Sequence, residues 1–331
     1  MATFPCARNA RSRTNNRLDR MRPRQFRKIL SGITPTEEVF LRPGFRVGAP
    51  NMRVHLEDIG RAVLRGFHES TAHETPHDLR NVGAVPRELE GFAWAGAGMG
   101  LAGFDGFLPQ SPTRIQQLEN LAASHRFMIQ LGAGWAIARM QNLRYDEEAF
   151  VGTGEGPFRS IALVGYGAHQ AYFHWARYVE NQTVERHLSP EGRRAFDEGV
   201  GCALWLGEGA NAEWVSTRIA EFQAERQRDL WAGLGFCCAY AGVARSGSLS
   251  YLRDASGPFH GYLAEGVAMA AAVRHAAGIP AEYTDKACVE FCGMGSELAA
   301  RVTEEALQEL SAAPTPPTYE AWRNRIRLRF Q

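Results

Sequence analysis

Several stretches of this 331-residue sequence contain the residue types that do chemistry, and most of them fail on spacing. His68, His73 and His77, interleaved with Glu69 and Glu74, have the composition of a metal site. Spacings of five and four residues, with Pro76 between, do not set three ligands on one helical face, so the segment reads as an exposed loop. Gly98-Met99-Gly100-Leu101-Ala102-Gly103 matches the Gly-x-Gly-x-x-Gly fingerprint of dinucleotide sites. That fingerprint needs a strand before it and a helix opening at it; here it is one copy of a glycine repeat whose other copies lack the third glycine. Cys288 and Cys292 stand four apart, but two thiols without partners are a weak zinc signal. The six cysteines include no Cys-x-x-Cys pair and no framework spacing, which fits reduced thiols in a cytoplasmic protein. No Gly-x-Ser-x-Gly elbow occurs, nor an acidic metal-binding cluster such as a terpene cyclase carries. The motifs therefore predict no metal, and they identify no cofactor.

What remains are single ionisable residues set among apolar ones: His125, Arg139, His169, Asp197 and Asp229, the last close behind Arg226 and Arg228. A buried ionisable group must be paired or shift its pKa, and acid–base groups in dry pockets are made that way. His169, and after it His125, are the expected proton carriers, with Arg139, Asp197 and Asp229 orienting them or meeting developing charge. Trp94, Trp135, Tyr166, Phe173, Trp205, Trp231 and Tyr240 are the expected walls of an apolar substrate pocket. Taken singly, each polar residue also fits an interhelical hydrogen bond or ion pair. As a group, at least two are expected to face the interior.

The elements that position these residues announce themselves by period. Glycine pairs of the form Gly-x-Gly or Gly-x-Ala begin at Gly96, Gly132, Gly165, Gly199, Gly233 and Gly266, which is 36, 33, 34, 34 and 33 residues apart. A period near 34 residues is that of a helix-turn-helix unit, so the chain reads as paired-helix repeats. A degenerate seventh copy is expected around Gly60. With the second small residue of each pair as position zero, position +4 is Ala102, Ala138, Ala171, Trp205, Ala239 and Ala272. At roughly 100° per residue, zero and +4 share one side of a helix, while the first glycine and position +2 share the other. Two opposed stripes of small residues let a helix pack closely between a predecessor and a successor. The other faces are mostly apolar as well, which predicts helices buried all round. More polar helices are expected at Pro112 to His125, Pro190 to Asp197, Ala212 to Asp229 and Ser296 to Ser311. The prediction is an all-α domain over residues 29–331. It has six to seven helix pairs forming a toroid or curved solenoid with an apolar interior.

Composition narrows the rest. Apolar residues make up 45% and charged residues 22%, which excludes a mostly disordered chain, and no stretch is apolar for the roughly 18 residues of a membrane span. A net charge of +1 gives no pull toward nucleic acid. Residues 1–28 stand apart: from Arg8 to Lys28 there are nine cations against Asp19 alone, and they read as a disordered basic tail. Gly152 to Pro157 reads as a surface turn that interrupts the repeat.

Four of the glycine segments also resemble a known family. They are Gly91-Phe92-Ala93-Trp94-Ala95-Gly96-Ala97-Gly98-Met99, Gly132-Ala133-Gly134-Trp135-Ala136-Ile137-Ala138-Arg139, Gly165-Tyr166-Gly167-Ala168-His169 and Asp229-Leu230-Trp231-Ala232-Gly233-Leu234-Gly235. Together they resemble a bacterial domain-of-unknown-function family of accessory proteins encoded beside iterative polyketide synthases in enediyne antibiotic clusters. The likeness runs over roughly residues 25 to 295. It implies cytoplasmic action on, or with, the linear polyene such a synthase releases. The family brings no catalytic residues to carry over, and its members have an acidic residue where this chain has Ala95. Two functions follow as expectations. One is an enzyme that tailors or cyclises an apolar polyene in the helical interior. The other is a non-catalytic scaffold that binds the synthase, its carrier domain or another accessory protein.

Overall fold

The structure, a computed structural model, describes residues 50–73, 75–79, 82–107, 113–140, 156–242, 247–311 and 318–331. The basic tail, Glu74, Pro112 and Gly152 to Glu155 lie outside the described residues. Among the described residues every regular element is a helix or a helical turn, and all belong to one compact unit. The α-helices are α1 (Pro50–His73), α2 (Glu90–Phe107), α3 (Arg114–Leu121), α4 (Arg126–Arg139) and α5 (Ile161–Phe173). They continue with α6 (Pro190–Gly207), α7 (Ala212–Ala220), α8 (Ala224–Ala241), α9 (Ser248–Ser256) and α10 (His260–Ala276). The series closes with α11 (Glu282–Cys292), α12 (Ser296–Ser311) and α13 (Tyr319–Arg327).

Local sequence sets the boundaries. Thr113 and Gln116 form a reciprocal capping box at α3, and the Ser189, Asn211 and Thr318 side chains accept from backbone N–H groups at the starts of α6, α7 and α13. Gly242 and Gly293, both with positive φ, follow α8 and α11, a turn of backbone that a side chain would strain.

The glycine helices pack in series: α1 on α2, then α4, α5, α6, α8, α10 and α12, each against the next. Shorter helices α7, α9 and α11 pack against one another in order. The two small stripes do what their placement implies. A β-carbon on the first glycine of each pair would lie 1.8–2.0 Å from a carbonyl oxygen of the preceding helix, at Val63, Ala95, Leu131, Val164, Glu198 and Ala232 in turn. A β-carbon on the second glycine would lie 1.9–2.3 Å from a carbonyl of the following helix, at Ile129, Ala162, Phe196, Leu230 and Leu263. No real β-carbon fits at such distances, so backbone meets backbone at both sides of α2, α4, α5, α6 and α8, and at one side of α10. The loss of helix propensity at each glycine is about 1 kcal/mol, and this close approach offsets it.

On α1 a β-carbon on Gly66 would lie 1.7 Å from Ala93 O, which adds one contact of the same kind to the series. Two expectations about helix limits change. Pro190 to Asp197 is the first part of the glycine helix α6, because no break follows Asp197. Ala212 to Asp229 is two helices: α7 ends at Ala220, and Arg226 and Asp229 already belong to α8.

The contact predicts a sharp asymmetry among glycines. Gly199→Ala should lower unfolding free energy by about 3 kcal/mol, the upper end of what overpacking costs, because the obstructing atoms are backbone. Gly83→Ala, with open space around it, should stay within about 0.5 kcal/mol of wild type. Urea unfolding followed by circular dichroism measures both.

Candidate ligand cavity

Packing helices in series leaves space along their shared side. Six of them, α1, α2, α4, α5, α6 and α8, line one cavity of about 80 Å³, to which they contribute Ile59, Met99, Trp135, Tyr172, Leu206 and Tyr240 among others. Its wall exposes apolar atoms alone. Phe127 of α4 stacks on Phe236 of α8 at 4.9 Å, and Phe236 stacks on Tyr240 at 5.4 Å. The start of α1 meets the end of α8, where His55 Nε2 lies 2.8 Å from Ala241 O.

The expected site residues divide between this wall and places away from it. Trp135 and Tyr240 lie on the wall. His169 is buried behind it, stacked on Phe173 at 4.4 Å and edge-on to Trp135 at 6.0 Å, and the Arg139 guanidinium sits 5.1 Å over Phe173. These four residues form one cluster with Trp135 as its link to the cavity. Trp94 stacks on His125 at 5.2 Å, away from the wall. Tyr166 belongs to a separate buried group with Gln170, Tyr178 and Glu185; burial and the Glu185 charge push its pKa up to about 12. Trp205 is fully buried and donates to Gly242 O at 3.3 Å, and Trp231 is buried off the wall.

Asp197 and Asp229 are also placed apart from the cavity, in ion pairs. Both oxygens of Asp197 accept from Arg226, at 2.9 and 2.6 Å. Burial raises the Asp197 pKa and the Arg226 hydrogen bonds oppose it. Asp229 joins a buried cluster that sequence reasoning missed. Arg323 of α13 reaches Asp229 of α8 at 3.1 Å, Glu198 of α6 at 3.5 Å and Glu265 of α10. Arg327 adds a 2.7 Å contact to Glu265, Arg194 pairs with Asp229 at 3.3 Å, and Tyr319 donates to Glu198 at 2.8 Å. Burial pushes the Glu198 carboxyl up to about 7 against the pull of Arg323. A signal for this cluster was present: Glu198 and Glu265 share position −3 of the repeat with Ala95, Leu131, Val164 and Ala232. A charge in an apolar column needs a partner.

Among the described residues no group of three or more His, Cys, Asp and Glu side chains is placed to hold a metal ion. His68 and His73 ride on α1, while His77 lies on a separate helical turn. No described helix is long and apolar enough to cross a membrane.

The chain belongs to the family described as protein of unknown function (DUF1702), whose model matches residues 23–330. No curated protein and no solved structure matches it.

Two measurements follow. Burial lowers the His125 pKa from 6.5 to about 4, so the unfolded chain binds the extra proton between those values. Stability is then lost as pH falls from 6.5 to 4, by about 3 kcal/mol at 1.36 kcal/mol per unit. Glu198 has the opposite sign, its raised pKa removing stability as pH rises from 4.5 to 7. His125→Phe, which keeps the stack on Trp94, should flatten the acid side by that amount in urea unfolding across the window. Arg323→Met leaves the carboxylates of Glu198, Asp229 and Glu265 without their shared cation and should cost about 3–5 kcal/mol in the same assay at pH 7.

Proposed function

We propose that this chain is an accessory protein of enediyne-type polyketide biosynthesis that holds the apolar chain of a linear polyene in the cytoplasm. The observation that carries the proposal is the cavity: six helices share it and no polar atom faces it. A wall of that kind favours hydrocarbon and rejects water. We read the helix row as curling on itself, since α1 meets α8 across it. The polyene comes from the resemblance of the glycine segments to proteins encoded beside iterative synthases. The space of about 80 Å³ is roughly half the ~150 Å³ of an engineered cavity that holds benzene. A longer chain therefore enters by moving wall side chains, and Met99 and Met128 are the flexible ones suited to it.

An enzymatic reading keeps one observation in its favour. His169, the expected proton carrier, is buried and presses its ring against Trp135 of the wall. Arg139 lies over Phe173 in the same cluster. His125 is at the Trp94 stack and Asp197 and Asp229 are in ion pairs, which supports holding over turnover.

The test is incubation of the purified protein with the polyene of an iterative synthase, followed by gel filtration, mass spectrometry and ultraviolet absorption. Co-elution of a polyene of unchanged mass is expected. Ala203→Phe, which fills the cavity, should weaken retention at least tenfold with helical circular dichroism preserved. A polyene that elutes free of wild-type protein overturns the proposal. A changed mass or shortened chromophore makes the protein an enzyme, and His169→Ala then tests its proton carrier.

A further inference from the structure

Tyr240 presents a polar group that the fold leaves unused. The residue is 1% exposed and lines the cavity, yet its hydroxyl has no hydrogen-bond partner among the described residues. Burying a hydroxyl without a partner costs free energy, and phenylalanine would supply the same ring. The surroundings hold the group where it is. Its ring is stacked on Phe236 with an interplanar angle of 6°, meets Phe92 edge-on at 5.2 Å, and carries the Arg274 guanidinium 4.4 Å from its centre. Space for the oxygen comes from Gly91, since a β-carbon there would lie 1.8 Å from it. Met128, a wall residue with a flexible side chain, lies beside that same point, with Cγ 3.4 Å from the Gly91 β-carbon position. A second donor without a partner, Trp135 Nε1, belongs to another wall residue.

We infer that the ligand of this cavity is an apolar chain bearing a neutral carbonyl, a ketone, enone or ester, whose oxygen accepts a hydrogen bond from Tyr240. The inference rests on the cavity being the ligand site. Neutrality follows from the charges nearby. Arg274, whose guanidinium lies over the Tyr240 ring, spends its N–H groups on the carbonyls of Tyr240, Ile279 and Glu88 and on the Tyr283 hydroxyl, so a carboxylate would lose its water in an apolar wall with no charged donor free to bond it. Burial raises the Tyr240 pKa well above its usual value, which keeps the proton on the oxygen and makes the group a donor.

The test uses an isosteric pair, 2-hexanone and 2-methyl-1-hexene, which differ in C=O against C=CH2, with hexanoate as the charged probe. Dissociation constants for the full chain are read from tryptophan fluorescence, alongside melting curves. Tyr240→Phe should weaken 2-hexanone about tenfold and leave 2-methyl-1-hexene unchanged, and hexanoate should bind neither protein. The unliganded variant should melt at or above the wild-type temperature, because an unused buried hydroxyl has been removed. Equal ketone affinity in both proteins overturns the inference and leaves the cavity reading intact, since the alkene still binds. A fall in melting temperature overturns it too, by showing that the hydroxyl has a partner in the folded chain. Measurable hexanoate binding overturns the neutral carbonyl. Failure of both neutral probes to bind wild type removes the cavity reading itself.

Discussion

A carbonyl oxygen of one helix lies where the β-carbon of a residue in the next helix would be, and that single contact, repeated on both sides of α2, α4, α5, α6 and α8 and on one side of α1 and α10, governs the architecture. It admits only glycine, so it fixes which residues face one another and how close the axes come. Helices separated by ordinary side chains would stand farther apart and would leave more room at their shared side. Here the approach is close, and the cavity left between six helices is only about 80 Å³.

That geometry also explains how charge is distributed. Close contact leaves no water between neighbouring helices, so a carboxylate beside a glycine must find a cation in the protein. Glu198 and Glu265 stand in that position on α6 and α10, and Asp229 lies earlier on α8. Arg323 answers all three from α13. The cavity wall, in contrast, has no charged side chain, and its residues with polar side-chain atoms are Tyr172, Tyr240, Trp135, Cys202 and Cys237. The thiols are weakly polar, and interaction with Cys237 together with burial raises the Cys202 pKa, which keeps that thiol protonated.

The all-helical class and the role of the glycine stripes were legible in the sequence because backbone contact leaves a mark no other residue can imitate. Gly66 escaped because its helix has one contact glycine, not a pair. Helix limits around Asp197 and Asp229 were misread for a different reason: charge was taken as a sign of an outer helix, whereas these charges are internal and neutralised by Arg226, Arg194 and Arg323. Trp135 and Tyr240 could be placed near an apolar interior from their register in the repeat. Trp205, in an equally suggestive position, is drawn off to cap the end of α8 through Gly242. Register gives the face of a helix, and only the crossing of neighbouring helices decides which of two side chains on that face reaches the open space.

The buried cluster around Arg323 ties residues made at different times. Glu265 precedes Arg323 by 58 residues and Glu198 precedes Tyr319 by 121, so on the ribosome these acids emerge well ahead of the groups that satisfy them. Arg194 of α6 is already present for Asp229, but until α13 has been translated Glu198 and Glu265 lack Arg323 and Arg327, and α6 and α10 can bury them only at a cost in free energy. The nascent helices are therefore held from final compaction by electrostatics, and an interrupted chain carries a built-in flaw that exposes its unpacked glycine faces to quality control.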